Sequence, residues 1–144
     1  DEEIVFEVNE HFLNGQDGKE EKRITDSCFR IRKANLGAEG NDRKYHVECQ
    51  ATPESGMLVR FFEYDTQIAL DGGEVTNNKL TVTFPHSAAL YLRHNKNTPD
   101  HLKICIVTPG GEVSYEIPVM KAQNYTLDEL FEKKLLFLVP LFSL

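Results

Sequence analysis

Two short runs of this chain hold acids at positions where they could share a ligand. Asp26 stands in Ile24-Thr25-Asp26-Ser27-Cys28-Phe29, and Glu48 stands with Gln50 in Tyr45-His46-Val47-Glu48-Cys49-Gln50. Both runs read as strands. Joined as an antiparallel hairpin with Asp26 opposite Glu48, they set Phe29 opposite Tyr45 and Arg30 opposite Lys44, with a loop centred near Gly37. A carboxylate pair of this kind suits Mg2+ or Mn2+, which prefer oxygen ligands and activate water for attack on phosphorus. The backbone carbonyl of Cys49 offers a further oxygen, and Glu10 or Glu7 completes the shell if the first element packs on the hairpin. Gln50 cannot serve as a cation or a proton acceptor; its amide orients a water or hydrogen-bonds a phosphate oxygen. The same spacing also fits a solvent-facing acid pair, which is common on neighbouring strands.

The elements that must position these residues follow from periodicity. With a period of two, Asp26, Cys28, Arg30, Glu48 and Gln50 share one face, and Ser27, Phe29, Ile31, Val47 and Cys49 share the other. The second set is the more apolar and is expected to face the core. His46 falls on the face of Glu48 by alternation and is an auxiliary candidate. The other histidines, His11, His86, His94 and His101, have no H-x-H or i, i+4 partner, so core or surface roles suit them better than metal ligation. Cys28 and Cys49 read as packing residues, because neither has the paired base that a thiol nucleophile needs.

Upstream, Ile4, Val5, Val8 and Phe12 recur at helical spacing, with Gly15 as a stop, which predicts a short amphipathic first helix and a loop from Gln16 to Arg23. Downstream, Met57, Leu58, Phe61, Phe62, Asp65, Ile68 and Ala69 form a helical stripe interrupted only at Asp65, and Gly72-Gly73 ends it. The other face of that helix carries Arg60, Glu63, Tyr64 and Gln67, a polar row that would lie along the edge of a site or in solvent. Lys79 to Phe84 and Ala88 to Leu92 read as strands, and His101–Thr108 with Gly111–Ile117 as a hairpin about Pro109-Gly110-Gly111. Thr126-Leu127-Asp128-Glu129 has capping-box spacing and opens a final helix toward Val139. The order predicts an α/β domain with a mixed sheet.

Length and composition set the frame. A chain of 144 residues with 40% hydrophobic and 27% charged residues is expected to form one domain, 1–144, possessing a core of its own. Its net charge of −7 argues against a protein that coats DNA but less against a nuclease, whose metal ions sit between acids and phosphate. Three cysteines outside any zinc spacing fit a reduced, cytoplasmic setting. The longest apolar run, 135–144, is about half the ~20 residues a membrane span needs, so the expectation is no membrane but a packed tail, a homo-oligomer contact or a cut end.

Several segments together carry a resemblance. They are 22–27, 45–50, Phe62-Glu63-Tyr64, 84–92 (Phe-Pro-His-Ser-Ala-Ala-Leu-Tyr-Leu), 117–121 (Ile-Pro-Val-Met-Lys) and 130–140. In order and spacing the chain resembles bacterial members of the PD-(D/E)xK nuclease superfamily, and within it the transposase group related to the Rpn recombination-promoting nucleases. The resemblance implies a restriction-endonuclease-like αβββαβ core, a mixed sheet flanked by helices, with additional strands and a helix at the C-terminus. It implies metal-dependent hydrolysis of DNA phosphodiesters, with Asp26 at the first motif and Glu48 at the second. Gln50 stands where the superfamily usually has lysine. The expected roles are Asp26 and Glu48 as ligands of Mg2+ or Mn2+, Gln50 to position water, and Arg60, Lys44 and Gln67 toward substrate. A catalytically silent nuclease-like DNA-binding or dimerisation module is the competing expectation.

Overall fold

The chain opens with strands where helical spacing predicted a helix. In the computed structural model, which describes residues 2–6, 10–14, 20–24, 27–33, 43–51, 53 and 55–132, β1 (Glu2–Phe6) and β2 (Glu10–Asn14) replace it. The reason is non-local: β1 runs antiparallel to β4 (Ser27–Lys33), with Ile4 opposite Ile31 and Phe6 opposite Phe29. A ladder satisfies the backbone of a segment too short to hold a helix alone. The segment 16–23, expected as a loop, also contributes a strand: β3 (Glu20–Ile24) pairs with β2 in a sheet of its own. Glu10 therefore lies on a strand of that small sheet and not on a helix.

The hairpin register matches the sequence reading. β4 pairs antiparallel with β5 (Arg43–Gln50), setting Phe29 opposite Tyr45, Arg30 opposite Lys44 and Ser27 opposite Val47. Asp26 lies outside the described residues. From β5 the chain crosses through α1 (Met57–Asp71), passes the small hairpin of β6 (Glu74–Thr76) and β7 (Lys79–Thr81), and enters β8 (His86–Tyr91) parallel to β5. The β6–β7 turn is Asn77-Asn78, both with positive φ, the geometry that matches strand twist in a two-residue hairpin. β9 (His101–Thr108) and β10 (Gly111–Lys121) form the expected hairpin, and β10 continues alongside β8 in parallel. The result is a mixed six-stranded sheet in the order β1-β4-β5-β8-β10-β9.

Packing decides which face is inside, and it reverses the expectation. α1 lies on the face bearing His46 and Glu48: its Met57 and Phe61 join Ala89, Tyr91, Ile104 and Ile117 in the main core. Val47 and Cys49, expected in the core, belong to a smaller cluster around Leu90 on the opposite face, with Met120, Ala122 and Tyr125. The apolar composition of one face misled because the polar side chains of the other bury themselves against one another. Beyond Tyr125 the capping box forms as read: Glu129 Oε2 accepts from the Thr126 amide at 2.7 Å, and Thr126 Oγ1 accepts from the Glu129 amide at 3.2 Å. It starts α2 (Leu127–Glu132); the predicted continuation toward Val139 and the apolar tail lie outside the described residues. No helix among the described residues is long and apolar enough to cross a membrane.

The buried stripe of α1 is Met57, Phe61, Tyr64, Asp65, Ile68 and Ala69. Leu58 and Phe62, read as part of the stripe, flank it, and Tyr64, read as part of the polar row, is inside. The helix stops at Gly72-Gly73, where the Gly73 amide donates to the Leu70 carbonyl at 3.0 Å. Adjacent phenylalanines test this rotation: Phe61 is fully buried and Phe62 is 39% exposed. Phe61→Ala is expected to cost about 3–5 kcal/mol in urea unfolding. Phe62→Ala is expected to cost about 1 kcal/mol or less, from the part of its ring that is covered.

Candidate functional site

Alternation along β5 sends Lys44, His46, Glu48 and Gln50 toward α1, and the crossover helix runs back over them. Five residues of helix, about 7.5 Å, span nearly the same distance as two residues of strand, about 6.6 Å. Asp65 can therefore reach His46 while Arg60, five residues earlier, reaches Glu48 and Gln50. The contacts follow that geometry.

At the centre is an imidazole held between two carboxylates. His46 Nδ1 lies 2.7 Å from Asp65 Oδ1, and His46 Nε2 lies 2.8 Å from Glu48 Oε1. None of the three is more than 1% exposed. Phe61 and Tyr64 meet the imidazole edge to face, with ring centroids at 5.2 and 5.8 Å, so aromatic walls fix its plane. Asp65 collects two further donors from other strands: Ser87 Oγ at 2.6 Å to Oδ1 and Tyr115 OH at 2.8 Å to Oδ2. Four elements, β5, α1, β8 and β10, thus meet at one carboxylate.

The ring can donate from both nitrogens only as imidazolium. Burial works against that charge, but the hydrogen bonds and charges of Asp65 and Glu48 outweigh it and raise the His46 pKa above the ordinary histidine value. Burial first, then the Asp65 carboxylate and its hydrogen bond, push the Tyr115 phenol far above the usual range, so it remains a donor. With Arg60 included, two basic side chains face two acidic ones.

Arg60 forms the outer end of the site. Its Nε lies 3.5 Å from Glu48 Oε2, close enough for ion pairing but outside hydrogen-bond geometry, and that nitrogen has no hydrogen-bond partner among the described residues. The Gln50 amide lies against the guanidinium; assigned with its oxygen on that side, the orientation in which it accepts rather than opposes donors, it accepts from Nη1 at 3.1 Å and from Nη2. The side chain of Arg60 is 29% exposed, so this end opens to solvent. Gln50 stands beside Tyr91, and Tyr91 beside Lys121, at the carboxyl ends of the parallel strands β5, β8 and β10. Burial raises the Tyr91 phenol, and Arg60 opposes that rise. Lys121 is engaged with Asp100 Oδ1 at 2.6 Å and with the Thr98 carbonyl at 3.0 Å.

Of the residues singled out in the sequence, Glu48, Gln50 and Arg60 are brought together, with His46 directly behind Glu48. Cys49 lies between the two β5 residues and pairs with Leu90 in the parallel ladder, its side chain on the opposite face. Lys44 and Gln67 are not part of this group. Lys44 is six residues from Gln50, about 20 Å along the strand, and its ammonium sits beside Gly72 at the far end of α1. Gln67 donates to Asp71 Oδ1 at 2.9 Å on the helix surface. Asp26 lies outside the described residues, as does the side chain of Glu10. Asp65, Ser87 and Tyr115 were missed. Asp65 left a signal, as the only interruption of an apolar helical stripe.

A cleft of about 470 Å³ adjoins the network at the amino end of β8, lined by Phe84, Pro85, His86, Ser87, Tyr115 and Pro118 among others. Neither Glu48 nor Gln50 lines it. As for metal ligands, Glu48 and Gln50 carry oxygen atoms of the kind a hard cation takes, but Oε1 of Glu48 is on His46, and its Oε2 and the Gln50 oxygen face Arg60. Among the described residues, no group of three or more His, Cys, Asp or Glu side chains could hold one. The described part of the site supplies one carboxylate toward such an ion.

The raised His46 pKa has a direction in stability. Its contribution is fully present below the unfolded histidine value of 6.5 and is lost as pH rises through the folded value. Denaturant unfolding in metal-free buffer from pH 6 to pH 9 is expected to show stability falling above pH 6.5, and His46→Gln to remove that slope. No family model matches this chain, and neither a curated protein nor a solved structure matches it.

Proposed function

We propose that this chain is a metal-dependent DNA endonuclease whose site is built on Glu48 and Gln50 of β5, with Asp26 completing the acid pair. One observation carries the reading: a buried acid, an amide two residues on and the guanidinium of the crossover helix converge at the carboxyl ends of parallel strands. The crevice beyond strand carboxyl ends is where open α/β sheets bind ligands. The order β4, β5, α1, β8, with β5 antiparallel to β4 and parallel to β8, also supports the restriction-endonuclease-like core that the sequence resemblance implies.

In this reading Asp26 and Glu48 hold Mg2+ or Mn2+. A bound ion would supply Lewis-acid stabilisation of charge on the phosphate and would ease deprotonation of the attacking water. Gln50 orients that water through its amide. Arg60, released from Gln50 toward solvent, contacts a phosphate oxygen with its planar donor fork. Water would add to phosphorus and give up a proton to solvent as the bond to the leaving 3′ oxygen breaks, and that oxygen would take up a proton from solvent.

A second reading, a nuclease-like module that binds DNA or dimerises without cutting it, draws on another observation. Glu48 already faces two cations of its own chain, His46 and Arg60, which balance its charge without a metal. The two readings separate in one assay series. Supercoiled and linear DNA incubated with Mg2+ or Mn2+ is expected to be cut by the wild-type chain. Cleavage by Asp26→Ala or Glu48→Gln is expected to fall at least about 100-fold, the scale seen when a group stabilising transition-state charge is removed. DNA left intact by the wild type, together with no calorimetric signal for Mg2+, favours the silent module.

A further inference from the structure

We propose that β9, the last strand of the sheet, is where two copies of this chain join. The β9 strands of the two copies pair antiparallel about a two-fold axis at Cys105, so that one sheet runs through both. The proposal is independent of the endonuclease reading, and it places the contact away from the apolar run 135–144.

Among the described residues, no strand pairs with the outer edge of β9. The direction of its backbone groups follows from one contact. The Val119 amide donates to the Asp100 carbonyl at 2.8 Å, and continuing that alternation along the β9–β10 ladder turns the amides and carbonyls of Leu102, Ile104, Ile106 and Thr108 toward β10. Those of His101, Lys103, Cys105 and Val107 therefore point outward. Exposed edges are commonly protected by proline, a bulge or short length. β9 has eight residues, no proline or glycine, and a register against β10 in which no residue is skipped. By contrast β1, at the opposite edge, is five residues long and carries Glu2 and Glu3.

Side chains select the partner and the register. A two-fold axis normal to the sheet keeps each face on its own side, and with the axis at Cys105 it sets Lys103 opposite Val107 of the second copy. On that face Glu116 stands beside Lys103, and Glu112 beside Val107. Each end of the joint then reads Glu116 and Lys103 of one copy, Val107 and Glu112 of the other. A lysine thus has a carboxylate on either side, one of them reached over a small valine that is 75% exposed in the single chain. On the other face Ile104 meets Ile106 of the second copy, and Val113, paired with Ile106 and 60% exposed, gains apolar neighbours. Moving the axis by one residue puts Cys105 opposite Lys103, with Ser114 and not an acid behind it. Moving it by two, to Lys103, sets the two lysines against each other, and like charges directly opposite are destabilising. The charge row, repeated by the axis, favours a second copy over an unrelated strand.

Sedimentation velocity of the 144-residue chain over a wide range of concentration tests the assignment. The wild type is expected to pass from monomer to dimer as concentration rises. Lys103→Glu fills each row with acids, and Glu112→Lys sets two lysines across the valine. Either change alone is expected to weaken the dimer about 10-fold or more, with the far-UV circular dichroism spectrum unchanged. Val107→Lys, at a side chain open to solvent, places a lysine against Lys103 of the second copy and is expected to give the same loss independently. Mixed in equal amounts, the Lys103→Glu and Glu112→Lys chains restore a lysine–glutamate pair to both rows and are expected to form a heterodimer near the wild-type affinity. A wild-type chain that stays monomeric throughout overturns the proposal. So does a dimer that the variants form as readily as the wild type, which places the contact elsewhere, and so does a mixture no more associated than its components alone.

Discussion

One buried imidazole, shared between Asp65 and Glu48, is the contact on which the rest of this structure depends. It sets where α1 lies on the sheet, because the helix must bring Asp65 over β5 to meet the ring. It also fixes the helix's rotation. With Asp65 turned inward, Phe61 and Tyr64 close on the same ring and Arg60 reaches the outer oxygen of Glu48. Burying such charges is seldom the most stabilising solution, since apolar side chains of similar volume usually do as well or better. Losing one partner is a different matter, because the remaining charge stays buried without its counterpart. Once established, the arrangement is hard to change one residue at a time.

The site has two ends of opposite character. At Asp65 both carboxylate oxygens are engaged, the residue itself is fully buried, and aromatic rings wall the imidazole beside it. Around Gln50 and Arg60 the packing opens, and one guanidinium nitrogen has no hydrogen-bond partner among the described residues. The network thus has a rigid inner end and an outer end with room to rearrange. The polar network and the hydrophobic core are also one body: Tyr91 and Ile117 pack on the same sheet face as Glu48, and α1 covers both.

How much of this was legible in the sequence depended on how local the deciding interaction was. The β4–β5 register was readable because alternation and hairpin closure act within a short stretch. So were α1, the β9–β10 hairpin and the Thr126 capping box, each announced by residues a few positions apart. The first strands were misread, because Ile4, Val5, Val8 and Phe12 fit a helix equally well and only the partner strand β4, over twenty residues on, decides between them. The buried face of β5 was misassigned for a related reason. Polarity of a side chain argues for solvent only while its partners are unknown, and those of His46 and Glu48 sit on a helix. Asp65 was visible as a break in an apolar stripe, yet nothing local says that such a break is filled from three strands. Glu48, Gln50 and Arg60 were singled out in the sequence and lie together in space; Lys44, which shares the face of Glu48, is carried away from it by the rise of the strand.

The separation of Asp65 from its partners along the chain also bears on how the molecule folds. Its three donors lie 19, 22 and 50 residues away. Contacts of such span must overcome the entropy of closing large loops before they return any energy, and they place a protein among the slower folders of its size. His46 and Ser87 can reach Asp65 once β5, α1 and β8 have assembled, but the phenol of Tyr115 arrives only when the β9–β10 hairpin docks. Until then the Asp65 carboxyl lacks one of its donors. A chain in which that hairpin has not docked would carry Asp65 short of the Tyr115 hydroxyl, and Glu48 at the end of a less firmly held set of contacts.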